Sequence, residues 1–376
     1  MTAPAAGLQR TAPAVRPGIP GIAPYVGGDA HVPGVTRLIR LAANEGAFGP
    51  SPLAVAAYRA AAEQIHRYPD GASRQLVEAL ARRHGLDPAG IVCGNGSDDL
   101  LHLLALAFAG PGDEVLHTAH GFLVYPIAAR SVGATPVAVP EPGLVADVDG
   151  LLAAVTPRTR LLYLANPNNP TGSTLPAAEL RRLHAGLPGD VVLVIDAAYA
   201  EFVTADEYES GIGLVRDADN VVMTRTFSKV YALGGLRLGW ALCPPAIADA
   251  LHRIRGPFNV NVAAQAAGVA ALDDAAFVAA AVLHNHRCRQ WTGERFSALG
   301  LKVHPSQGNF LLVSLAGWAD AATVRQYLKA RGILVRQMAA YGLPDCLRIT
   351  IGTQDEMQET VDALAAFPGS PGRHRR

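Results

Sequence analysis

The sequence predicts an α/β fold in which a mostly parallel sheet is sandwiched by helices, together with a smaller α+β domain. Three observations predict this fold. Short, continuous apolar runs recur through the first two thirds of the chain, segments of helical periodicity lie between them, and the pattern changes after about residue 260. Continuous apolar runs are typical of strands buried on both faces, and strands that alternate with helices form parallel sheets.

Four apolar runs are the predicted strands of the larger sheet. They cover residues 134–139, 160–165, 191–196 and 220–225. Helical segments such as "LPAAELRRLHAGL" lie between them, as crossover connections between parallel strands require. Ligands of such sheets bind beyond the carboxyl ends of the strands. The residues directly after each run are therefore the first candidates for a functional site.

The last third of the chain has a different order of elements. A long alanine-rich helix is predicted after residue 260, and then come "LKVHPSQGNFLLVSL", the helical segment "DAATVRQYLKARG" and the strand-like "CLRITIG". Residues 36–50 are expected to pack with this unit. The predicted organisation is an N-terminal arm (1–35), a large domain (51–262), and a small domain formed by 36–50 with 263–376.

Composition excludes several classes of protein. The chain has 376 residues, of which 50% are hydrophobic and 17% charged, so it can form a substantial core. Lys+Arg and Asp+Glu both number 32, and without an excess of basic residues no nucleic-acid partner is expected. No apolar stretch reaches the roughly 18 residues of a membrane span. Pro and Gly interrupt the N-terminus too often for a signal peptide.

The cysteines and one histidine-containing segment have plain structural interpretations. Cys93, Cys243, Cys288 and Cys346 lie far apart without a CxxC pair, which is typical of buried thiols in a reduced, cytoplasmic protein. The segment "HNHRC" (284–288) has histidines at positions i and i+2, which point to different sides of a helix. We therefore expect no metal site, and we interpret this segment as a polar helix face.

Lysine is scarce in this chain, and one lysine occupies an unusual position. Of the 32 basic residues, only three are lysines: Lys229, Lys302 and Lys329. Lys302 lies in a short strand pattern and Lys329 on the polar side of an amphipathic helix, where solvated ammonium groups are expected. Lys229 instead lies in a Ser/Thr-rich turn after the fourth apolar run. A lysine at that edge, with a pKa lowered by burial, can form a Schiff base with a carbonyl cofactor.

Pyridoxal phosphate is a carbonyl cofactor whose needs the neighbouring residues meet. Its ring nitrogen needs a carboxylate, and Asp196 ends the third apolar run; an adjacent anion keeps that nitrogen protonated. Taken alone, Asp196 is also compatible with a helix N-cap. The phosphate needs anion-binding donors, which the free amides of a helix beginning near Ser97 provide. Thr226, Ser228 and Arg237 are candidates to complete the phosphate site.

Several short motifs follow one another along the chain. They are "NPNNPTG" (166–172), "VIDAAY" (194–199), "TFSKVYALGGLRLGW" (226–240) and "CLRITIG" (346–352). In this order and at these intervals they resemble the fold-type I, pyridoxal-phosphate-dependent aminotransferases. With "RYPDG" and "NGSDD" added, the chain resembles the histidinol-phosphate aminotransferase family from about residue 20 to residue 365.

The resemblance implies a role for each matching residue of the cofactor site. It makes Lys229 the catalytic lysine, which holds the cofactor and then moves the α-proton, and Asp196 the partner of the ring nitrogen. Asn169 and Tyr199 match the donors to the ring hydroxyl, and Phe122 matches the aromatic residue that stacks on the ring. The residues that match the phosphate site are Gly96, Ser97, Asp98, Thr226, Ser228 and Arg237.

The resemblance also implies substrate residues and a second subunit. Arg348 matches the arginine that binds substrate carboxylates, Arg336 a second arginine used for a phosphate, and Tyr25 an arm tyrosine near that phosphate. Asn44 borders the substrate pocket, in a segment that reads "NEGA" where the family usually has "NENP". Tyr68 in "RYPDG" is similar to the tyrosine that reaches the cofactor phosphate from the neighbouring subunit. The expected active unit is therefore a homodimer.

The implied reaction is a two-stage, ping-pong amino transfer in histidine biosynthesis. The amino group moves between histidinol phosphate, with imidazole-acetol phosphate as its oxo form, and glutamate, with 2-oxoglutarate as its oxo form. Three alternatives stay open. They are an aminotransferase for aromatic amino acids, a threonine-phosphate decarboxylase of the same fold, and a regulator that binds the cofactor without catalysis.

Overall fold

The structure is a computed structural model, which describes residues 13–25, 27 and 32–369. Two sheets and the helices around them make up this part of the chain. The strands are β1 (Ile39–Leu41), β2 (Ile91–Gly94), β3 (Glu114–Thr118), β4 (Thr135–Val139), β5 (Thr159–Ala165), β6 (Val192–Asp196), β7 (Val221–Thr226), β8 (Gly239–Leu242), β9 (Lys302–Val303), β10 (Phe310–Ser314), β11 (Ile333–Met338) and β12 (Leu343–Thr350).

The larger sheet has seven strands in the order β2-β8-β7-β6-β5-β3-β4. Neighbouring strands from β7 to β4 are parallel, and β8 is antiparallel to both β2 and β7. The four strands predicted from apolar runs are β4, β5, β6 and β7, so the prediction of a mostly parallel sheet is confirmed. β4 is more exposed than its apolar sequence predicts, because it is an edge strand of the sheet.

Helices cover both faces of the larger sheet, which confirms the predicted sandwich. Alternate residues of a strand point to opposite faces, so Leu162 and Leu193 join one apolar cluster while Leu161 and Val194 join the other. The helices are α1 (Pro52–Ala61), α2 (Arg74–His84), α3 (Ser97–Phe108), α4 (Val124–Ser131), α5 (Val148–Ala153), α6 (Ala177–Gly186), α7 (Ile212–Asp217), α8 (Pro245–Ile254), α9 (Val262–Asp273), α10 (Ala275–Ala298), α11 (Ala321–Lys329) and α12 (Gln354–Ala365).

The smaller sheet has five strands in the order β1-β11-β12-β10-β9. Its edge strand β1 comes from near the start of the chain and pairs in parallel with β11, whereas the other neighbours are antiparallel. An apolar cluster joins this sheet to its helices through Phe296 of α10, Leu328 of α11 and Leu364 of α12. The domain boundaries given above stay a prediction.

The alanine-rich segment after residue 260 forms two helices, so the prediction of one long helix is wrong. α9 and α10 meet at an angle of 78°. Asp274 ends one helix and starts the next, because its side chain accepts a hydrogen bond from the Phe277 amide and caps α10. Within the described ranges, no single helix is long and apolar enough to cross a membrane, and the bent pair α9–α10 is compatible with a span by length and composition only.

Candidate active site

The carboxyl ends of β5, β6 and β7 border a cavity of about 290 Å³. Asp196 is the last residue of β6, Thr226 is the last residue of β7, and Asn169 lies in the loop after β5. The cavity therefore lies where a parallel sheet is expected to bind its ligand. The predicted site residues that line it are Tyr25, Ser97, Asp98, Phe122, Asn169, Asp196, Tyr199, Thr226, Ser228, Lys229 and Arg237.

Lys229 enters the cavity from the turn that follows β7. Its Nζ donates a hydrogen bond to the carbonyl of Ala43 at 3.2 Å and lies 5.8 Å from the centre of the Tyr199 ring. Burial, together with the positive charge of Arg348, lowers the pKa of Lys229 to about 8. More of this amine is therefore neutral near physiological pH than in a solvated lysine, and the neutral amine is the form that attacks a carbonyl.

The buried carboxylate of Asp196 is satisfied on one oxygen only. Its Oδ2 accepts a hydrogen bond from the Tyr125 hydroxyl at 2.8 Å, whereas Oδ1 is buried without a hydrogen-bond partner among the described residues. Burial raises the pKa of Asp196 to about 6, as expected for a buried anion without a paired cation. Because an unpaired buried carboxylate oxygen is costly, Oδ1 marks the place where a cationic ligand atom belongs.

Tyr125 is a site residue that sequence analysis missed. It lies in the first turn of α4, is fully buried, and stacks on Tyr163 with 4.9 Å between ring centres. Because this stacking fixes the ring, the Tyr125 hydroxyl holds Asp196 in one orientation. The only signal in the sequence is a tyrosine in an apolar helix, which is usually a core residue. Periodicity does not reveal a bond between residues 71 positions apart.

The turn between β2 and α3 forms an anion site beside the guanidinium of Arg237. The first amides of α3, from Ser97 onward, have no partner within the helix. Gly96 has a φ of +88°, and a Cβ at this position would lie 2.6 Å from Nη2 of Arg237. Only glycine therefore lets the guanidinium approach the turn. Arg237 also pairs with Asp98 at 3.3 Å, so a bound phosphate would share the arginine with this carboxylate.

The opposite wall presents polar groups and an aromatic ring. Asn169 accepts a hydrogen bond from the Arg348 guanidinium on its Oδ1, which leaves its amide group as a donor. The Tyr199 hydroxyl accepts a hydrogen bond from the Asn44 side chain at 2.8 Å. Phe122 is half-buried and meets Tyr125 edge-on, with 5.9 Å between ring centres. This wall therefore combines two donors with an apolar surface for a flat ring.

The residues around the cavity fit pyridoxal phosphate. The cofactor carries a basic ring nitrogen, an aldehyde and a phosphate, each of which needs a different protein group. The unpaired Oδ1 of Asp196 suits the protonated nitrogen, the amine of Lys229 suits the aldehyde, and the turn before α3 with Arg237 suits the phosphate. All three groups line one cavity.

Two arginines lie opposite each other at the edge of this site. Arg336 of β11 pairs in register with Arg348 of β12, and its guanidinium lies 5.5 Å from the centre of the Tyr25 ring. Arg348 is buried, donates to the Ala42 carbonyl at 2.7 Å and keeps an unpaired Nε. None of the ion pairs between described residues includes Arg348. Two guanidiniums that face each other in this way can bind one anion together.

The remaining predicted site residues do not line the cavity. Gly96 lies against the guanidinium of Arg237. Arg348 donates to Asn169 and Arg336 lies near the ring of Tyr25, and both of these partners line the cavity. Asn44 is buried behind Tyr199 and also bonds to Thr350, so it supports the cavity wall from outside. Tyr68 is 83% exposed and stacks on Phe258, so it does not contribute to this cavity within one chain.

The segment 284–288 is not the polar helix face that its sequence predicts. Asn285 and Cys288 are buried, and His284 contacts the Gly352 carbonyl at 2.8 Å through its Nε2. Helix α10 packs this side against the smaller sheet, which explains the burial. In the described part of the chain, no group of three or more His, Cys, Asp or Glu residues is placed to hold a metal ion. All four cysteines are free and buried.

Comparison with known proteins agrees with this site. Residues 36–364 match the family Aminotransferase class I and II, and the fold and site define a pyridoxal-phosphate-dependent aminotransferase. A histidinol-phosphate aminotransferase of Rhodospirillum centenum is 65% identical over 353 residues, which are 94% of this chain and 98% of that protein. One from Paramagnetospirillum magneticum is 57% identical over 96% of this chain and 100% of its own length. The chain belongs to the histidinol-phosphate aminotransferase family.

Solved structures show the same architecture. The histidinol-phosphate aminotransferase of Sinorhizobium meliloti in complex with pyridoxal-5'-phosphate superposes with a TM-score of 0.80 at 35% identity, covering 87% of this chain and 89% of that one. An aspartate aminotransferase from Thermus thermophilus with maleate gives a TM-score of 0.77 at 26% identity, covering 87% and 91%. The predicted fold type and the predicted cofactor are both confirmed.

Proposed function

We propose that this enzyme transfers an amino group between histidinol phosphate and 2-oxoglutarate, by a ping-pong reaction in histidine biosynthesis. The observation that carries this substrate assignment is the facing pair Arg336 and Arg348. One cationic side chain suffices for the carboxylate of a simple amino acid, whereas two neighbouring guanidiniums suit a doubly charged phosphate. The 65% identity to the Rhodospirillum centenum histidinol-phosphate aminotransferase supports the same substrate.

Bound pyridoxal phosphate supplies an electron sink, which stabilises negative charge at the substrate carbon and stores the amino group between the two half-reactions. Lys229 holds the cofactor and then moves the α-proton, since it is the only lysine at the cavity. Asp196 keeps the ring nitrogen protonated, and Tyr125 holds Asp196 in place. Asn169 and Tyr199 donate hydrogen bonds toward the ring hydroxyl.

The other residues orient the cofactor, hold its phosphate or bind the substrates. Phe122 packs on the ring face, which excludes water from it. The phosphate of the cofactor is held by Gly96, Ser97, Asp98, Thr226, Ser228 and Arg237. One substrate site accepts both substrates, because Arg348 and Arg336 bind either the carboxylate of glutamate or the phosphate of histidinol phosphate, with Tyr25 beside them.

The half-reaction with a single amino donor tests the substrate assignment. Histidinol phosphate, glutamate and phenylalanine are added separately to the cofactor-loaded protein, and the loss of visible absorbance is followed as the amino group transfers. We expect rapid loss with histidinol phosphate and with glutamate, and slow loss with phenylalanine. Faster loss with phenylalanine would favour an aromatic aminotransferase instead. Carbon dioxide release without consumption of an oxo-acid would favour a decarboxylase.

Replacement of Arg336 by alanine sharpens this experiment. We expect the half-reaction with histidinol phosphate to slow by roughly 10- to 150-fold, since a charged hydrogen bond contributes about 1.5–3 kcal/mol. The reaction with glutamate is expected to change less, because Arg348 still binds its carboxylate. Equal losses with the two donors would remove Arg336 from the phosphate site. Arg331→Ala, in the turn before β11, is the matched control.

We further propose that the active unit is a cytoplasmic homodimer. Large apolar side chains are exposed on and after α1: Leu53, Tyr58, Ile65 and Tyr68, together with Phe258, which stacks on Tyr68. Clustered exposed apolar side chains are typical of subunit interfaces. A second copy of this chain is the occupant we infer, because Tyr68 would then reach the neighbouring cofactor site. The free, buried cysteines agree with a reducing compartment.

Mixing two inactive variants tests this dimer. Tyr68→Ala and Lys229→Ala chains are combined under conditions that allow subunit exchange. In an equal mixture about half of the dimers are hybrids, and each hybrid has one of its two sites with both residues intact. Activity is therefore expected to return to roughly a quarter of the wild-type value. Hybrid dimers that form but show no recovery would exclude a contribution of Tyr68 across the interface. A monomer at micromolar concentration would exclude the dimer itself.

A further inference from the structure

Asn44 is held in one orientation by its surroundings. It lies between β1 and α1, is 1% exposed, and has a φ of +55°, a left-handed backbone conformation that asparagine tolerates better than most residues. Its carbonyl accepts a hydrogen bond from the Asn309 side chain at 3.1 Å. Its backbone amide donates to Thr350 Oγ1 at 3.0 Å. The residue is therefore fixed before any ligand binds.

These bonds set the direction of every proton around Asn44. The Thr350 hydroxyl accepts from the Asn44 amide, so its own proton is free to bond to Oδ1 of Asn44, which lies at 3.1 Å. With Oδ1 assigned as an acceptor, the Nδ2 group faces Tyr199 and donates to its hydroxyl at 2.8 Å. Because the Tyr199 oxygen accepts on that side, its single proton is directed to the other side.

The other side of Tyr199 is the cavity. Asp196 and the turn before α3 fix where the ring nitrogen and the phosphate of the cofactor lie, and Lys229 fixes its reactive carbon. In pyridoxal phosphate the ring oxygen is on the carbon next to the one that bears the aldehyde, on the side away from the phosphate. The proposed seating would therefore direct this oxygen to the part of the cavity wall that contains Tyr199 and Asn169. A hydroxyl proton aimed into the cavity from Tyr199 therefore meets this oxygen.

We propose that Asn44 is a positioning residue, which makes Tyr199 a hydrogen-bond donor to the ring oxygen of bound pyridoxal phosphate. This inference rests on the seating of the cofactor given under the proposed function. It gives Asn44 a role in addition to its place at the border of the substrate pocket, which the family resemblance implies. It also links the smaller sheet to the cofactor, because Thr350 lies two residues after Arg348 on β12.

Charges around Tyr199 support the direction of this effect. Burial raises the pKa of Tyr199, whereas the positive charge of Arg348 and the hydrogen bond from Asn44 both lower it. The negative charge of Asp196 raises the pKa of Tyr199. The Nζ of Lys229 lies over the Tyr199 ring. A phenol that accepts a hydrogen bond is a stronger donor through its own proton. Asn44 thus strengthens the bond from Tyr199 to the ring oxygen.

The visible absorbance of the cofactor-loaded protein, titrated against pH, tests the proposal without measuring turnover. The midpoint reports the proton shared between the Lys229 nitrogen and the ring oxygen. A donor to the ring oxygen draws its charge away and lowers that midpoint. Asn44→Gly keeps the left-handed backbone but removes the amide, so we expect the midpoint to rise by about 0.5 to 1 pH unit.

Two further variants separate this role from a purely structural one. In a Tyr199→Phe background, Asn44→Gly is expected to cause no further shift, because the hydroxyl through which it acts is absent. Asn44→Asp keeps the side-chain shape but accepts the Tyr199 proton, so it is expected to raise the midpoint as Asn44→Gly does. It also serves as the test if the glycine variant does not fold.

The outcomes are distinct. An unchanged midpoint in both Asn44 variants, or an equal shift with and without the Tyr199 hydroxyl, would overturn the positioning role. A protein that binds no cofactor, and therefore has no visible band to titrate, would instead contradict the proposed function.

Discussion

Replacement of Lys229 by alanine is expected to reduce turnover roughly 10⁴-fold, the upper range for loss of a positioned base. The effect is large because Lys302 and Lys329, the other two lysines, do not line the cavity. The variant is still expected to bind pyridoxal phosphate, since Asp196 and the anion site at α3 do not depend on the lysine. Steady-state rates and the cofactor content after dialysis measure the two effects separately.

Lys302→Ala is the matched control for this prediction. Lys302 is exposed on the short strand β9, so its loss is expected to leave both turnover and cofactor content unchanged. Wild-type turnover in the Lys229→Ala protein would remove this residue from catalysis. Complete loss of bound cofactor would show that the covalent link, rather than the phosphate site, retains it.

Replacement of Asp196 by asparagine is expected to lower the rate by roughly 10- to 150-fold, as loss of a charged hydrogen bond of about 1.5–3 kcal/mol predicts. Asparagine has nearly the same shape and still accepts a hydrogen bond from Tyr125. It carries no negative charge, so it does not keep the ring nitrogen protonated. The rate of the half-reaction with glutamate measures this loss, because no second substrate is involved.

A surface carboxylate provides the control for Asp196. Asp190 lies just before β6, with a side chain 73% exposed, and Asp190→Asn is expected to leave the half-reaction unchanged. If Asp196→Asn reacts as fast as the wild type, the electron sink does not depend on this carboxylate. If it reacts slowly but its thermal unfolding is unchanged, the loss is chemical rather than structural.

The parts of the site that could be predicted are those fixed by strand ends. Asp196 and Thr226 end continuous apolar runs, and parallel strands bring their carboxyl ends to one edge of the sheet. Lys229 follows three residues later, and its rarity made it conspicuous. Local sequence was therefore enough to predict that Lys229, Asp196 and Thr226 lie at one cavity.

The parts that could not be predicted depend on contacts between distant segments. Tyr125 reaches Asp196 across 71 positions, and Asn44 reaches Thr350 across 306. Neither contact leaves a periodic trace, because each depends on how helices and loops pack after the sheets form. The break between α9 and α10 was missed for a different reason: alanine favours helix on both sides of Asp274, which concealed the role of its side chain as the N-cap of α10.

The link between Lys229 and pyridoxal phosphate is tested most directly by chemical trapping. Borohydride reduction turns a bond between a lysine and an aldehyde cofactor into a stable secondary amine, and peptide mass spectrometry then locates it. We expect one cofactor per chain, on the peptide that contains Lys229. Cofactor trapped on Lys302 or Lys329, or a loaded protein in which no lysine is modified, would contradict it.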